Sequence, residues 1–361
     1  MKAAWRRLLF NLHLWTGLGA GAFLLVAALT GSVLAYRTEL DAAGHPGWFR
    51  VADSPTRVTM DAVVASARLI HSKVEVDEVS LHPDPTSSIL VQFIDRFQVY
   101  VDPHTGRVLG SRDKDRSFVY IVEKLHRYLF VGKKGQWITG SASLALVVMV
   151  LTGLYLWLPR SWKGLKGSIA FNRRLRGRAW NVNLHKTVGA YAALMLLLAA
   201  LSGAPDAADW VIKTYGHHAK KAARAQRPLA PSTPAPFEDL WQRARATVPD
   251  YQFARIGWPS EPGRPFMFEM MEAKASHDNA ISTVYLDQTT GAVVRYEPYA
   301  MAPLATRLYD WCLPLHLGHF WGPVGQLLVV AGSLALAFLV VTGGWLYYRR
   351  ALRPIQRSSL K

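Results

Sequence analysis

The sequence contains one cysteine, Cys312, in 361 residues. A single thiol excludes an intrachain disulfide and a cysteine-built metal site. No phosphate-binding P-loop, dinucleotide fingerprint or serine-nucleophile motif is present, so nucleotide-dependent and acyl-transfer chemistry have no local signature. Acidic charge is also missing from three segments rich in basic charge. These are the start, with Lys2, Arg6 and Arg7; a connection with Arg160, Lys163, Lys166, Arg173, Arg174, Arg176 and Arg178; and the tail, with Arg349, Arg350, Arg353, Arg357 and Lys361. They account for most of the formal net charge of +17. Because that charge flanks apolar runs, it reads as membrane-flanking charge and not as a nucleic-acid footprint.

What the chain has in abundance is apolar residues, 50% of the total. Four runs, about Leu12–Tyr36, Trp137–Leu158, Leu184–Ala204 and Pro323–Tyr348, are long enough to cross a hydrocarbon core that needs roughly 20 helical residues. Trp15, Trp137, Trp157, Trp321, Trp345, Tyr347 and Tyr348 lie near their ends, where amphipathic rings prefer the headgroup layer. The first run is longer than a signal-peptide core and lacks a small-residue cleavage site, so it reads as an uncleaved anchor. The positive-inside rule puts both termini and the basic connection in the cytoplasm, and the two long polar segments outside, in a bacterial inner membrane.

The expected organisation is therefore residues 1–36 (first span), 37–125 (outer module), 126–158 (second span with a preceding histidine segment), 159–181 (basic loop) and 182–204 (third span). Residues 205–314 follow as a second outer module with a connector at Ala222–Pro236, then 315–348 (histidine segment and fourth span) and 349–361 (tail). Each module reads as α+β. Helices are expected near Met60–Ile70 and Phe237–Ala246, with strands at Val79–Leu81, Ile89–Phe93, Phe97–Val101, Phe253–Trp258, Pro265–Met270 and Ser282–Leu286. The Asp-x-x-Thr-Gly sequences ending at Gly106 and Gly291 read as hairpin turns before a return strand.

An internal repeat ties these pieces together. His13 precedes Thr30-Gly31 by 17 residues, as His185 precedes Ser202-Gly203; His126 precedes Thr152-Gly153 by 26, as His316 precedes Thr342-Gly343. The fold expected is a mainly α membrane protein, a four-helix bundle made by tandem duplication with two periplasmic modules. Topology puts His13 and His185 in the first turns of spans one and three at the inner edge, and His126 and His316 at the outer edge. A pseudo-two-fold axis brings each pair face to face, an arrangement suited to holding b-type haem iron from both sides. Zinc and copper are rival ions, but neither pair has a carboxylate or thiol beside it within its helices. The Thr-Gly and Ser-Gly steps read as helix-packing positions. His319, three residues after His316 on the same helical face, is an alternative outer ligand or a substrate-side residue. His104, Arg96, Arg255, Arg264 and His277 read as solvated surface or, alternatively, as the lining of an anion site.

The runs Leu12-His-Leu-Trp-Thr-Gly17, Leu125-His-Arg-Tyr-Leu129, Leu151-Thr-Gly-Leu-Tyr-Leu-Trp-Leu-Pro-Arg160, Leu184-His185, Leu315-His-Leu-Gly318 and Val341-Thr-Gly-Gly-Trp345 resemble the PepSY-associated transmembrane family. That family includes iron-regulated inner-membrane proteins and haem-containing ferric-siderophore reductases. The resemblance implies PepSY-like modules, two b-type haems on His13/His185 and His126/His316, and ferric-siderophore reduction in the periplasm. The electron source would be a cytoplasmic flavin or NAD(P)H reductase, or a quinol. Two other functions are compatible with the sequence: a membrane-anchored PepSY module that binds and inhibits a peptidase without redox activity, and a quinone-linked b-type cytochrome.

Overall fold

The computed structural model describes residues 2–159, 164–207, 235–259 and 263–351. Most of the Ala222–Pro236 connector, together with Arg160, Lys163, Arg353, Arg357 and Lys361, lies outside the described residues. The chain divides into two units, a membrane unit of residues 1–36, 122–212 and 312–361 and a sheet unit of residues 37–121 and 213–311.

Among the described residues, four helices are long and apolar enough to cross a membrane. They lie within α1 (Lys2–Leu34), α5 (Lys133–Trp157), α6 (Gly177–Ala207) and α10 (Gly322–Ala351), while α10 joins a short turn at His319–Trp321. Lipid offers the backbone no hydrogen-bond partners, so a spanning segment satisfies them within its own helix. The lateral pattern is small inside and large outside. Ala28, Ala142, Ala192, Ala193 and Ala200 are buried with Leu24, Leu146, Leu196 and Leu336, while Leu29, Leu144, Leu151, Leu194, Leu201 and Leu334 face outward. Alkyl side chains gain nothing by leaving lipid, so close approach of small residues holds such a bundle. Packing runs α1–α5–α6–α10 and back to α1, which puts α1 and α6 on one diagonal, α5 and α10 on the other. The end where α1 starts and α10 stops is here called the terminal end, and the opposite one the far end.

The sheet unit contains β1 (Val76–Leu81), β2 (Ile89–Phe93), β3 (Phe97–Val101), β4 (Val108–Asp113), β5 (Tyr251–Gly257), β6 (Phe266–Glu272), β7 (Ile281–Leu286) and β8 (Val293–Glu297). They form one eight-stranded antiparallel sheet in the order β4-β3-β2-β1-β5-β6-β7-β8. The two segments expected as separate modules thus share a sheet, joined where Val79 pairs Ile256 and Leu81 pairs Ala254. After the short α2 (Arg37–Gly44), α3 (Met60–Ile70) and α7 (Phe237–Thr247) lie on one face of the sheet, and their Val63, Val64, Ala67, Leu240, Trp241 and Ala244 share a core with Val79, Val91, Phe93, Ile256, Phe268 and Met270. These helices cap each other. The Asp61 carboxylate accepts from the Phe237 and Glu238 amides (3.0 and 2.8 Å), and the Glu238 carboxylate accepts from the Met60 amide (2.7 Å), which satisfies amides that a helix start leaves without partners. Both expected hairpin turns are present, with Gly106 at φ 71° and Gly291 at φ 65°, a region that only glycine enters without strain.

Candidate functional site

His13 and His185 lie well inside α1 and α6, not in their first turns, because both helices begin earlier than the apolar runs, at Lys2 and Gly177. Their rings face each other across the α1–α6 diagonal with centroids 6.4 Å apart and planes at 89°. At the far end His126, near the end of α4 (Phe118–Tyr128), faces His316 of α9 (Cys312–Leu317) at 6.1 Å and 58°. All four expected residues are therefore assembled in the expected pairs. Along α1 the two levels are separated by the 17 residues from His13 to Thr30, roughly 25 Å at 1.5 Å per residue.

Each imidazole is held by the neighbouring helix of its own half of the chain. His13 Nδ1 meets Thr152 Oγ1 and the Met149 carbonyl, both at 3.1 Å, and His126 Nδ1 meets Thr30 Oγ1 at 2.9 Å. In the second half His185 Nδ1 meets Thr342 Oγ1 at 2.9 Å, and His316 Nδ1 meets Ser202 Oγ at 3.2 Å and the Ala199 carbonyl at 3.0 Å. The direction of these bonds follows from counting protons. Every one of the four hydroxyls donates its proton to a carbonyl one turn back, to Val26, Val148, Leu198 and Phe338 at 2.6–2.8 Å. With the hydroxyl proton so placed the oxygen accepts from Nδ1, and at His13 and His316 the Met149 and Ala199 carbonyls can only accept, which puts the proton on Nδ1 and a lone pair on Nε2, the tautomer of a ring that ligates through Nε2. A hydrogen bond from the second ring nitrogen to a fixed acceptor is the usual means of orienting a metal-binding imidazole.

The glycine after each hydroxyl completes the cradle. A Cβ at Gly31 would lie 3.2 Å from His126 Cε1, at Gly153 3.2 Å from His13 Cε1, at Gly203 2.9 Å from His316 Cε1 and at Gly343 3.4 Å from His185 Cε1. The Thr-Gly and Ser-Gly steps are therefore imidazole seats, which corrects their reading as simple helix-packing positions. The signal was the constant spacing, but the step that follows a histidine by 17 residues along one helix is too far away to touch it. It serves the other histidine of the same half.

A second repeated device sets the far-end pair. Between α4 and α5 the backbone turns through Leu129 (φ 48°), Phe130 (φ 59°) and Gly132 (φ 60°); between α9 and α10 it turns through Gly318 (φ 78°) and Gly322 (φ 55°). Gly135 and Gly325, each nine residues after its histidine, sit so close to the carbonyls of Tyr128 and Gly318 that a Cβ at either would overlap them. This turn corrects the placement of His319. Gly318 in the left-handed region ends α9 at Leu317, so His319 belongs to a separate turn and does not share a helical face with His316.

The remaining candidates have structural work. His104, expected on a solvated surface, is buried, and its two ring nitrogens meet the carbonyls of Thr56 (2.6 Å) and Pro85 (2.8 Å), bonds that raise its pKa. His277 is also buried. It bonds the Tyr299 hydroxyl at 3.0 Å and packs on Trp311, and burial lowers its pKa. Arg255 pairs with Glu269 at 2.6 Å, and Arg96 pairs with Asp115 at 2.9 Å while stacking on Tyr120; the Arg264 carbonyl accepts from Gln288. Cys312 begins α9 and is half-buried. Among the described residues no three or more His, Cys, Asp or Glu side chains cluster as metal ligands.

Comparison with known families gives a match to the model described as PepSY-associated TM region over residues 10–350. No curated protein matches the chain.

Proposed function

The chain belongs to the PepSY-associated TM family, and from that premise we propose that it is a di-haem b reductase of a bacterial inner membrane, passing electrons outward to a ferric siderophore. The observation that carries this reading is the spacing of the pairs. A metal bound by two imidazoles has nitrogen bonds of about 2 Å, and the ring centre lies roughly 1.1 Å beyond each nitrogen, so the centroids should be about 6.2 Å apart. The pairs stand at 6.4 and 6.1 Å. Two protein donors also suit an ion whose other four positions come from a macrocycle, whereas structural and catalytic zinc sites take three or four from the protein.

His13 with His185 and His126 with His316 would hold the two haems, which would supply one-electron transfer between the two ends of the bundle. The protein holds each Nε2 in place through the Nδ1 bond, and the glycine seats fix how deep each ring sits. Leu24, Ala28, Leu146, Leu196 and Leu336 pack in the bundle interior and keep water from it. The basic segments support a cytoplasmic terminal end under the positive-inside rule, with the sheet unit periplasmic. Reduction converts a hard ferric ion, held tightly by oxygen donors, to a ferrous ion that such donors hold weakly. The electron source is a cytoplasmic flavin or pyridine-nucleotide reductase, or a quinol. Matching spacings, matching seats and a strand order symmetric about β1 and β5 support descent from a duplicated unit.

The test is the reduced-minus-oxidised visible spectrum of detergent-purified protein, with pyridine haemochrome quantitation. About two b haems per chain are expected, falling by about half in each of His13→Ala, His126→Ala, His185→Ala and His316→Ala. A haem-free protein, or haem indifferent to all four substitutions, would overturn the reading in favour of an anchored binding module.

A further inference from the structure

The repeat that carries the histidines also carries a pair of arginines. Arg6 precedes His13 by seven residues, and Arg178 precedes His185 by seven. Seven residues fall about 20° short of two full helical turns, so each arginine stands on the face of its helix that bears the histidine, roughly 10 Å nearer the terminal end. Arg7, the other arginine ahead of His13, has Ala179 as its counterpart. Arg6 is half-buried, and its guanidinium donates to the Leu156 carbonyl at 2.7 Å, one turn beyond the Thr152 that seats His13. That single bond uses one of five guanidinium donors.

The surrounding sequence offers no carboxylate for these charges. Residues 1–38, 124–205 and 311–361 contain no Asp or Glu. A guanidinium matches a carboxylate with two parallel hydrogen bonds. The b-type macrocycle carries two carboxylates on one edge. We infer that Arg6 and Arg178 bind those two carboxylates when the macrocycle is held between His13 and His185, and so fix which edge faces the terminal end. This rests on the di-haem reading above and extends it from the axial ligands to the rim. The arginines are positioning residues. They also raise the reduction potential at this site, because positive charge close by favours the less positive ferrous state.

The test uses full-length protein carrying His126→Ala, so that the terminal-end pair is the complete one, prepared haem-depleted in detergent and titrated with protohaem or with its dimethyl ester, which lacks the carboxylates. Arg6→Gln and Arg178→Gln should each weaken protohaem binding about tenfold, with a lower midpoint potential, as expected for a lost charge-assisted hydrogen bond. Arg6→Lys should recover part of the loss. The dimethyl ester should bind the unsubstituted arginine form as weakly as protohaem binds the double glutamine variant, and should be indifferent to both substitutions. Equal weakening of protohaem and ester would assign the arginines to helix packing, through bonds such as Arg6 to Leu156, and overturn the inference. Loss of co-purified anionic phospholipid with protohaem affinity unchanged would overturn it in favour of lipid headgroups. If the starting protein takes up neither compound, the di-haem reading itself fails.

Discussion

The two histidine pairs are seated alike but mounted differently. His13 and His185 belong to helices that run unbroken through the bundle, so α1 and α6 place their rings directly. His126 and His316 lie on short helices separated from α5 and α10 by turns with positive φ, which close with tight backbone approach at Gly135 and Gly325. The terminal-end pair depends on how the spans pack. The far-end pair depends in addition on two tight turns, and the short helices that carry it continue by chain connection from the sheet unit. A change that strains these turns should therefore separate the two sites, leaving one intact.

Gly325→Ala should separate them most strongly. Its Cβ would overlap the Gly318 carbonyl, and backbone cannot yield as a side chain can. The far-end haem should be lost and the terminal-end one retained, giving about half the wild-type haemochrome; loss of both or of neither would break the contrast. Next come the seats. In Gly203→Ala the new Cβ meets His316 Cε1 at 2.9 Å, whereas in Gly343→Ala it meets His185 Cε1 at 3.4 Å, ordinary contact. The first should displace its ring and weaken far-end binding, and the second should leave the terminal-end spectrum unchanged.

Removing hydroxyls sharpens the comparison within one pair. Thr342 is the hydrogen-bond partner of His185 among the described residues, whereas His13 keeps the Met149 carbonyl if Thr152 is lost. Thr342→Val should therefore weaken terminal-end haem roughly tenfold or more, from about 1–3 kcal/mol for a buried donor left unpaired, and Thr152→Val should cost less. Spectral titration of both variants measures the difference. The smallest effect concerns Asp310, which ends α8 (Leu304–Asp310) just before α9. Burial pushes its carboxyl up to about 6 from 3.8. The folded protein then holds a proton that the unfolded chain releases, so stability falls as pH rises from about 4 to about 6 and stays lower above that. Asp310→Asn should raise Tm at pH 7 and leave it unchanged near pH 4.

Much of this was legible in the residues. The spans, α3, the start of α7 and both hairpin turns follow from apolar period, length and turn chemistry, because each is a local property of the chain. The histidine pairs were legible because the repeat fixed their level and helical periodicity their faces. What escaped was non-local. Pairing of Val79 with Ile256 joins strands far apart in sequence and leaves no local mark on either. The basic start of α1 is helical although it lies outside the apolar run, since Arg and Lys are good helix formers and length measured by hydropathy misses them. The seats were misread because Thr-Gly serves an imidazole on the antiparallel neighbour, a relation that appears only when two helices are laid side by side. His319 was misplaced because a glycine in the left-handed region resets the helical count.

The seating bonds and the ring-to-ring facings run in different directions through the molecule. Thr30 with His126 and Thr152 with His13 stay within the first half, and Ser202 with His316 and Thr342 with His185 stay within the second, while both facings cross between halves. Each half thus orients its own imidazoles and owns half of each site. Severed from the other half, one half would keep two oriented imidazoles and a facing partner for neither.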